Sequence, residues 1–191
     1  MSARKLEKIE GIDPRVRDVL KLLSIGIVLA ATFIMPGTAV LLKEYSRFKL
    51  EKDRKEWEKF NSWRLRQVIK RLHKEKVVEV KHGEVKITDK GRQKLIRFEL
   101  DIMEIKRKTD GKWRLIIYDI SEFKKWQREL FRETLKRLKL YRLQDSVYLT
   151  PFVCEDEIEY LRQTFDVGKE VHVLKVSKLE NDRAYRNYFG I

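Results

Sequence analysis

Residues 76–95 read KVVEVKHGEVKITDKGRQKL. The β-branched runs at 77–80 and 85–87 flank Lys81-His82-Gly83-Glu84, a spacing and turn composition that predict a tight β-hairpin. Thr88 then supplies a hydroxyl to cap a helix reaching about residue 103, with Leu95, Ile96, Phe98, Leu100 and Met103 as its apolar members. Before the hairpin, Leu65, Val68, Ile69 and Leu72 recur at i, i+3, i+4 and i+7, which marks a helix with one buried stripe. Asn61 or Ser62 can accept the first amide hydrogens of that helix. Its remaining face carries Arg64, Arg66, Gln67, Lys70, Arg71 and Lys74.

The charge of the whole chain concentrates around this stretch. The protein has 191 residues, 44 Lys plus Arg against 30 Asp plus Glu, and a formal net charge of +14. Residues 47–108 hold 21 basic and 11 acidic side chains, so this middle third carries ten of the fourteen net charges. A local excess of that size attracts polyanions, and counterion release on phosphate neutralisation makes nucleic acid the first partner to expect. With 42% hydrophobic and 39% charged residues, eight Gly and three Pro, a disordered or collagenous chain is excluded. One cysteine excludes a disulfide framework and a Cys-rich zinc site. The N-terminal MSARKLEKIE lacks the order of a cleavable signal, so a reducing, cytoplasmic setting is expected.

The order helix, basic helix, short hairpin, helix resembles a winged helix-turn-helix, down to the Thr-x-x-Gly-Arg step at Thr88, Gly91 and Arg92 after the second hairpin strand. In that arrangement the basic helix enters the major groove of double-stranded DNA and the wing touches the backbone or minor groove. Chemistry then separates the roles. Arg64, Arg66 and Gln67 present forked or bidentate donors to base edges, while Lys70, Arg71, Lys74 and Lys81 mostly position phosphates, and Lys86 is a further expected DNA contact. The bland alternative is a solvated helical surface with spare lysines.

Residues 22–42 form a run of 21 without a charge, about the length of a membrane span. Pro36-Gly37 interrupts it, and Asp13-Pro14 reads as a cap followed by a first-turn proline. The expectation is two packed helices, residues 14–35 and 37 to about 47, with a membrane anchor as the alternative.

Residues 106–111, KRKTDG, lose apolar periodicity and read as a linker between a first domain, 1–108, and a second, 109–191. In the second, strands are expected over 113–120, within 141–152 and over 171–176, and helices over 122–140 and 155–165. The order βαββαβ is the ferredoxin-like plan, so the expected fold class is α+β. Phe123, Trp126, Leu130, Phe131, Thr134 and Leu138 form the expected buried stripe of the first of these helices.

WRLIIYDIS at 113–121, LYRLQDSVYLTPF at 140–152, a cysteine before an acidic helix, and the Phe-Gly near the terminus resemble the central domain of the PaaX-type transcriptional regulators, a domain related to the CRISPR-associated protein Cas2. The resemblance implies a DNA-binding repressor-like regulator that dimerises through the second domain. It also implies an alternative, a metal-dependent endonuclease or CRISPR adaptation component, in which Asp119 of two subunits would hold magnesium and activate water. The competing role for Asp119 is to cap the following helix together with Ser121. His73, His82 and His172 lack metal-ligand spacing, Cys154 has no nearby histidine, and Trp57, Trp63, Trp113 and Trp126 read as packing residues. No organic cofactor is expected.

Overall fold

The computed structural model of the protein describes residues 14–33 and 47–191. It shows an α+β molecule dividing into two units, residues 1–98 and 99–191.

In the first unit, α1 spans Val16–Ser24. The helix expected to reach residue 35 stops here because Gly26 takes φ +82°, while Gly26 N donates to Leu23 O and Ile27 N to Leu22 O. Such a left-handed closure satisfies the last carbonyls and turns the chain away. The following segment runs alongside the hairpin: Val85 N donates to Leu29 O and Ala31 N to Gly83 O, each at 2.8 Å, with Ala30 bridged to Glu84. No helix among the described residues is long and apolar enough to cross a membrane. Most of the second expected helix, and residues 34–42 of the apolar run, lie outside the described residues.

Next comes α2, Arg47–Glu58. Among its side chains whose burial is described, Asp53 and Trp57, one turn apart, are the buried ones. They hold Val28 from both sides: Val28 N donates to Asp53 Oδ2 at 3.0 Å, and Trp57 Nε1 donates to Val28 O at 2.9 Å. Three residues then lead into α3, Ser62–Lys74, whose N-cap Asn61 accepts from Arg64 N at 3.1 Å. Leu65, Ile69 and Leu72 of α3 pack with Val19, Leu20 and Leu23 of α1 and with Trp57. The strands β1, Val78–Lys81, and β2, Glu84–Ile87, pair antiparallel from Val78↔Ile87 to Lys81↔Glu84. Their turn places His82 at φ 52° and Gly83 at φ 79°, the two left-handed residues of the hairpin turn that matches strand twist. Thr88 accepts from Gly91 N at 3.2 Å at the start of α4, Asp89–Asp101.

In the second unit the order is β3 (Thr109–Tyr118), α5 (Lys125–Arg137), β4 (Tyr141–Gln144), β5 (Val147–Phe152), α6 (Glu155–Phe165), β6 (Val171–Val176) and α7 (Arg183–Phe189). The four strands form one antiparallel sheet in the order β4-β5-β3-β6, the expected βαββαβ succession. One sheet face is covered by α5, with Tyr118 edge-on to Phe131 at 5.1 Å. On the other, α7 brings Tyr185 and Phe189 over Trp113; this helix was not expected from the sequence.

Around Glu99, where the second unit begins, Tyr160 Oη donates to the Glu99 carboxylate at 2.9 Å, Arg137 to the carbonyls of Leu100, Asp101 and Met103, and Val153 N to Lys108 O. The expected linker is accordingly shortened, since β3 starts at Thr109. The helix expected from residue 122 is preceded by a 3-10 turn, Glu122–Lys124, and this change of phase leaves Phe123 fully exposed instead of on the buried stripe.

Candidate nucleic-acid interface

Burying Leu65, Ile69 and Leu72 turns the opposite side of α3 outward. Arg64, Gln67, Lys70, Arg71 and Lys74 are all exposed on it. Trp63, Gln67, Lys70 and Lys74 follow one another at i, i+4, i+7 and i+11, so they form a single ridge along the helix. That ridge is about 16 Å long at 1.5 Å per residue. Lys70 and Lys74 have no ion-pair partner among the described residues. Arg71 reaches Glu75 at 3.9 Å, and Glu75 also takes Lys94 at 2.9 Å, whose hydrogen bond and charge hold the Glu75 carboxyl below its ordinary value.

Not every expected contact residue shares that face. Arg66 is half-buried and lines a cleft of about 560 Å³ with Val28, Leu50, Arg54 and Trp57. Lys86, on β2, is half-buried and 3.7 Å from Glu84. Lys81, exposed at the hairpin tip, pairs with Glu79 at 2.8 Å, and that hydrogen bond raises its pKa. The structure therefore brings five of the expected residues together on α3 and sets Arg66, Lys81 and Lys86 apart from them. It also adds one. Trp57 and Trp113 are buried and Trp126 is half-buried, but Trp63 is 68% exposed. The signal was available in the spacing of Trp63 from Gln67 and Lys70, which puts all three off the apolar stripe.

Asp119 is exposed just beyond β3, where its amide donates to Glu170 O at 2.8 Å. The cap expected from Asp119 and Ser121 comes from Ser121, whose Oγ accepts from Phe123 N at 3.3 Å. Magnesium requires about six oxygen ligands. Among the described residues of one chain no group of three or more His, Cys, Asp or Glu could hold a metal ion. Cys154 is buried, and burial pushes its thiol up to about 12.

The most connected polar cluster is structural in form. Arg114, 1% exposed, donates to both carboxylate oxygens of Asp110 and to Glu155 Oε1 at 3.1 Å, and Lys175 adds a 2.7 Å contact to Glu155. Hydrogen bonding to Arg114 holds Asp110 well below the usual carboxylate range. Burial alone would raise Glu155, but Lys175, a backbone amide and Arg114 together bring it down to about 2.

Residues 106–187 match the family model described as PaaX protein central Cas2-like domain. Searches of curated proteins and of solved structures found no match. The matched stretch contains β3 to β6 with α5 and α6, and it includes WRLIIYDIS and LYRLQDSVYLTPF. Over these residues the chain matches the family that those motifs resemble, the PaaX proteins, in their central Cas2-like domain.

Proposed function

We propose that the protein is a DNA-binding transcriptional regulator of repressor type that acts in the cytoplasm as a homodimer. In this reading the first unit is a winged helix. Its α3 lies in the major groove of duplex DNA and the tip of its β1-β2 hairpin meets the backbone. The second unit is a ferredoxin-like dimerisation module. The observation that carries the reading is the outward face of α3: Arg64, Gln67, Lys70, Arg71 and Lys74, exposed together on a helix whose other side is anchored in the core. A major groove about 12 Å wide admits a helix, and arginine and glutamine present bidentate donors to base edges there. The PaaX match over residues 106–187 supports the regulator class, since the motifs it covers are those that resemble PaaX regulators.

Dimerisation is supported by the sheet face that α7 leaves uncovered. Leu174 is 49% exposed there and pairs in register with half-buried Leu115, next to half-buried Ile117.

The test is duplex binding by the full chain across a salt series. Each neutralised phosphate contributes a slope of about −0.9 in log affinity against log salt. Replacing Arg64, Lys70 and Lys74 together with alanine is expected to weaken binding to every duplex and to flatten the slope by about two to three units. Unchanged affinity and slope in the triple variant would overturn the assignment.

A further inference from the structure

Of the four tryptophans, Trp63 alone stands mostly in water, and it does so within a charged face that does not need it for packing. It is the second residue of α3. In groove-bound recognition helices the N-terminal residues reach base edges. The polarity of the ridge agrees: Trp63 and Gln67 occupy its N-terminal half, and the point charges Lys70 and Lys74 its C-terminal half. Resting on the DNA-binding reading, we infer that Trp63 is a specificity-determining residue that packs against the 5-methyl group of thymine, with Gln67 reading a nearby adenine.

The chemistry follows from what each side chain can recognise. An indole ring has no acceptor and one donor, so it cannot make the two-point pattern that identifies guanine or adenine. Its apolar ring can cover a methyl group, which in the major groove only thymine presents. Gln67 supplies the complementary two-point contact, donating to N7 and accepting from N6 of adenine. Residues four apart on a helix have Cβ atoms about 5–6 Å apart, which is one to two base-pair steps. The pair therefore suits a short A·T-containing patch and gains nothing from G·C pairs at the same place.

The probes are three duplexes of equal length, alternating dA-dT, alternating dA-dU and alternating dG-dC, added to the full chain at fixed salt. Deoxyuridine removes the methyl group and leaves the pairing edge unchanged. Burial of one methyl group corresponds to about fourfold in affinity, so wild type is expected to bind dA-dT about fourfold more tightly than dA-dU. Trp63→Ala should abolish that preference while keeping the salt slope, because the indole carries no charge. Tryptophan fluorescence should become less accessible to acrylamide on adding dA-dT to wild type and stay unchanged in Trp63→Ala. Equal binding of dA-dT and dA-dU by wild type, or a preference that survives Trp63→Ala, overturns the inference and leaves the regulator reading standing. Failure to bind any of the three duplexes overturns both.

Discussion

Gly91 lies where the first turn of α4 crosses the foot of the hairpin. A Cβ at this position would stand 2.2 Å from the Val77 carbonyl oxygen and 2.6 Å from Ile87 Cγ1. Neither neighbour can retreat, since Val77 and Ile87 are buried in the core of the first unit. In an exposed helix, alanine would be favoured over glycine by about 1 kcal/mol. Here the overlap reverses the sign, and Gly91→Ala is expected to destabilise the first unit by about 2–4 kcal/mol, seen as a lower midpoint in denaturant. This also explains why glycine stands in the Thr88-x-x-Gly91 step, which the sequence offered only as a resemblance. A second residue-scale effect concerns Glu155 and pH. Its folded pKa is about 2, below its ordinary 4.5, so its ionised form stabilises the fold fully above pH 4.5 and that contribution fades as pH falls towards 2. Glu155→Gln should therefore lower Tm at pH 7 and change it much less at pH 2. A uniform loss of Tm at both pH values would show that the ion pairs with Arg114 and Lys175 are not the cause.

At the scale of elements, the ends of helices matter as much as their faces. Helix α3 closes with Val77 N donating to Leu72 O and Lys76 N to His73 O, a closure that puts Lys76 at φ 58°. A left-handed conformation costs a non-glycine residue about 1–2 kcal/mol, and glycine returns part of that as lost chain entropy. Lys76→Gly is thus expected to stabilise the unit by about 0.5 kcal/mol without altering the exposed face of α3, measured by denaturant titration. Elements of this unit were legible where periodicity and burial coincide: Leu65, Ile69 and Leu72 define α3, and the turn around Gly83 defines β1 and β2. In the second unit the bounds of α6 and β6 were legible for the same reason. Where the two diverge, the sequence misleads. Helix α2 buries Asp53 and Trp57 to hold the backbone of Val28, a purpose no hydrophobic count reveals. The end of α1 depends on Gly26, one small residue inside an apolar run that otherwise favours continuation. The candidate site was legible as a charged helix face, but the withdrawal of Arg66 towards Trp57 and the exposure of Trp63 depend on which neighbours fill the core.

At the scale of the whole molecule, charge and apolar surface are divided between the units. Residues 47–98 hold 18 basic against 8 acidic side chains, whereas residues 99–191 hold 19 against 17. An almost balanced second unit gains little from a polyanion. Its open surface is instead the sheet face beside α7, with Leu174 at 49% exposure and Leu115 opposite it in register. On the proposed division of labour, damage to one surface should spare the function of the other. Changing Arg64, Lys70 and Lys74 to alanine should leave the oligomeric state intact while DNA binding falls. The converse is more demanding. Leu174→Asp puts a charge into the proposed contact and should turn the dimer into a monomer with an unchanged fold, because the side chain lies on an open face. In the proposed dimer, two α3 helices would engage half-sites about 34–36 Å apart, and the second engagement would be intramolecular. Losing that link costs about a hundredfold or more in affinity on a two-fold symmetric site, while a single half-site is bound as before. Sedimentation equilibrium beside titrations on full and half sites measures both quantities. A Leu174→Asp protein that remains dimeric would place the contact elsewhere, and a monomer that binds full sites undiminished would show that dimerisation does not serve recognition.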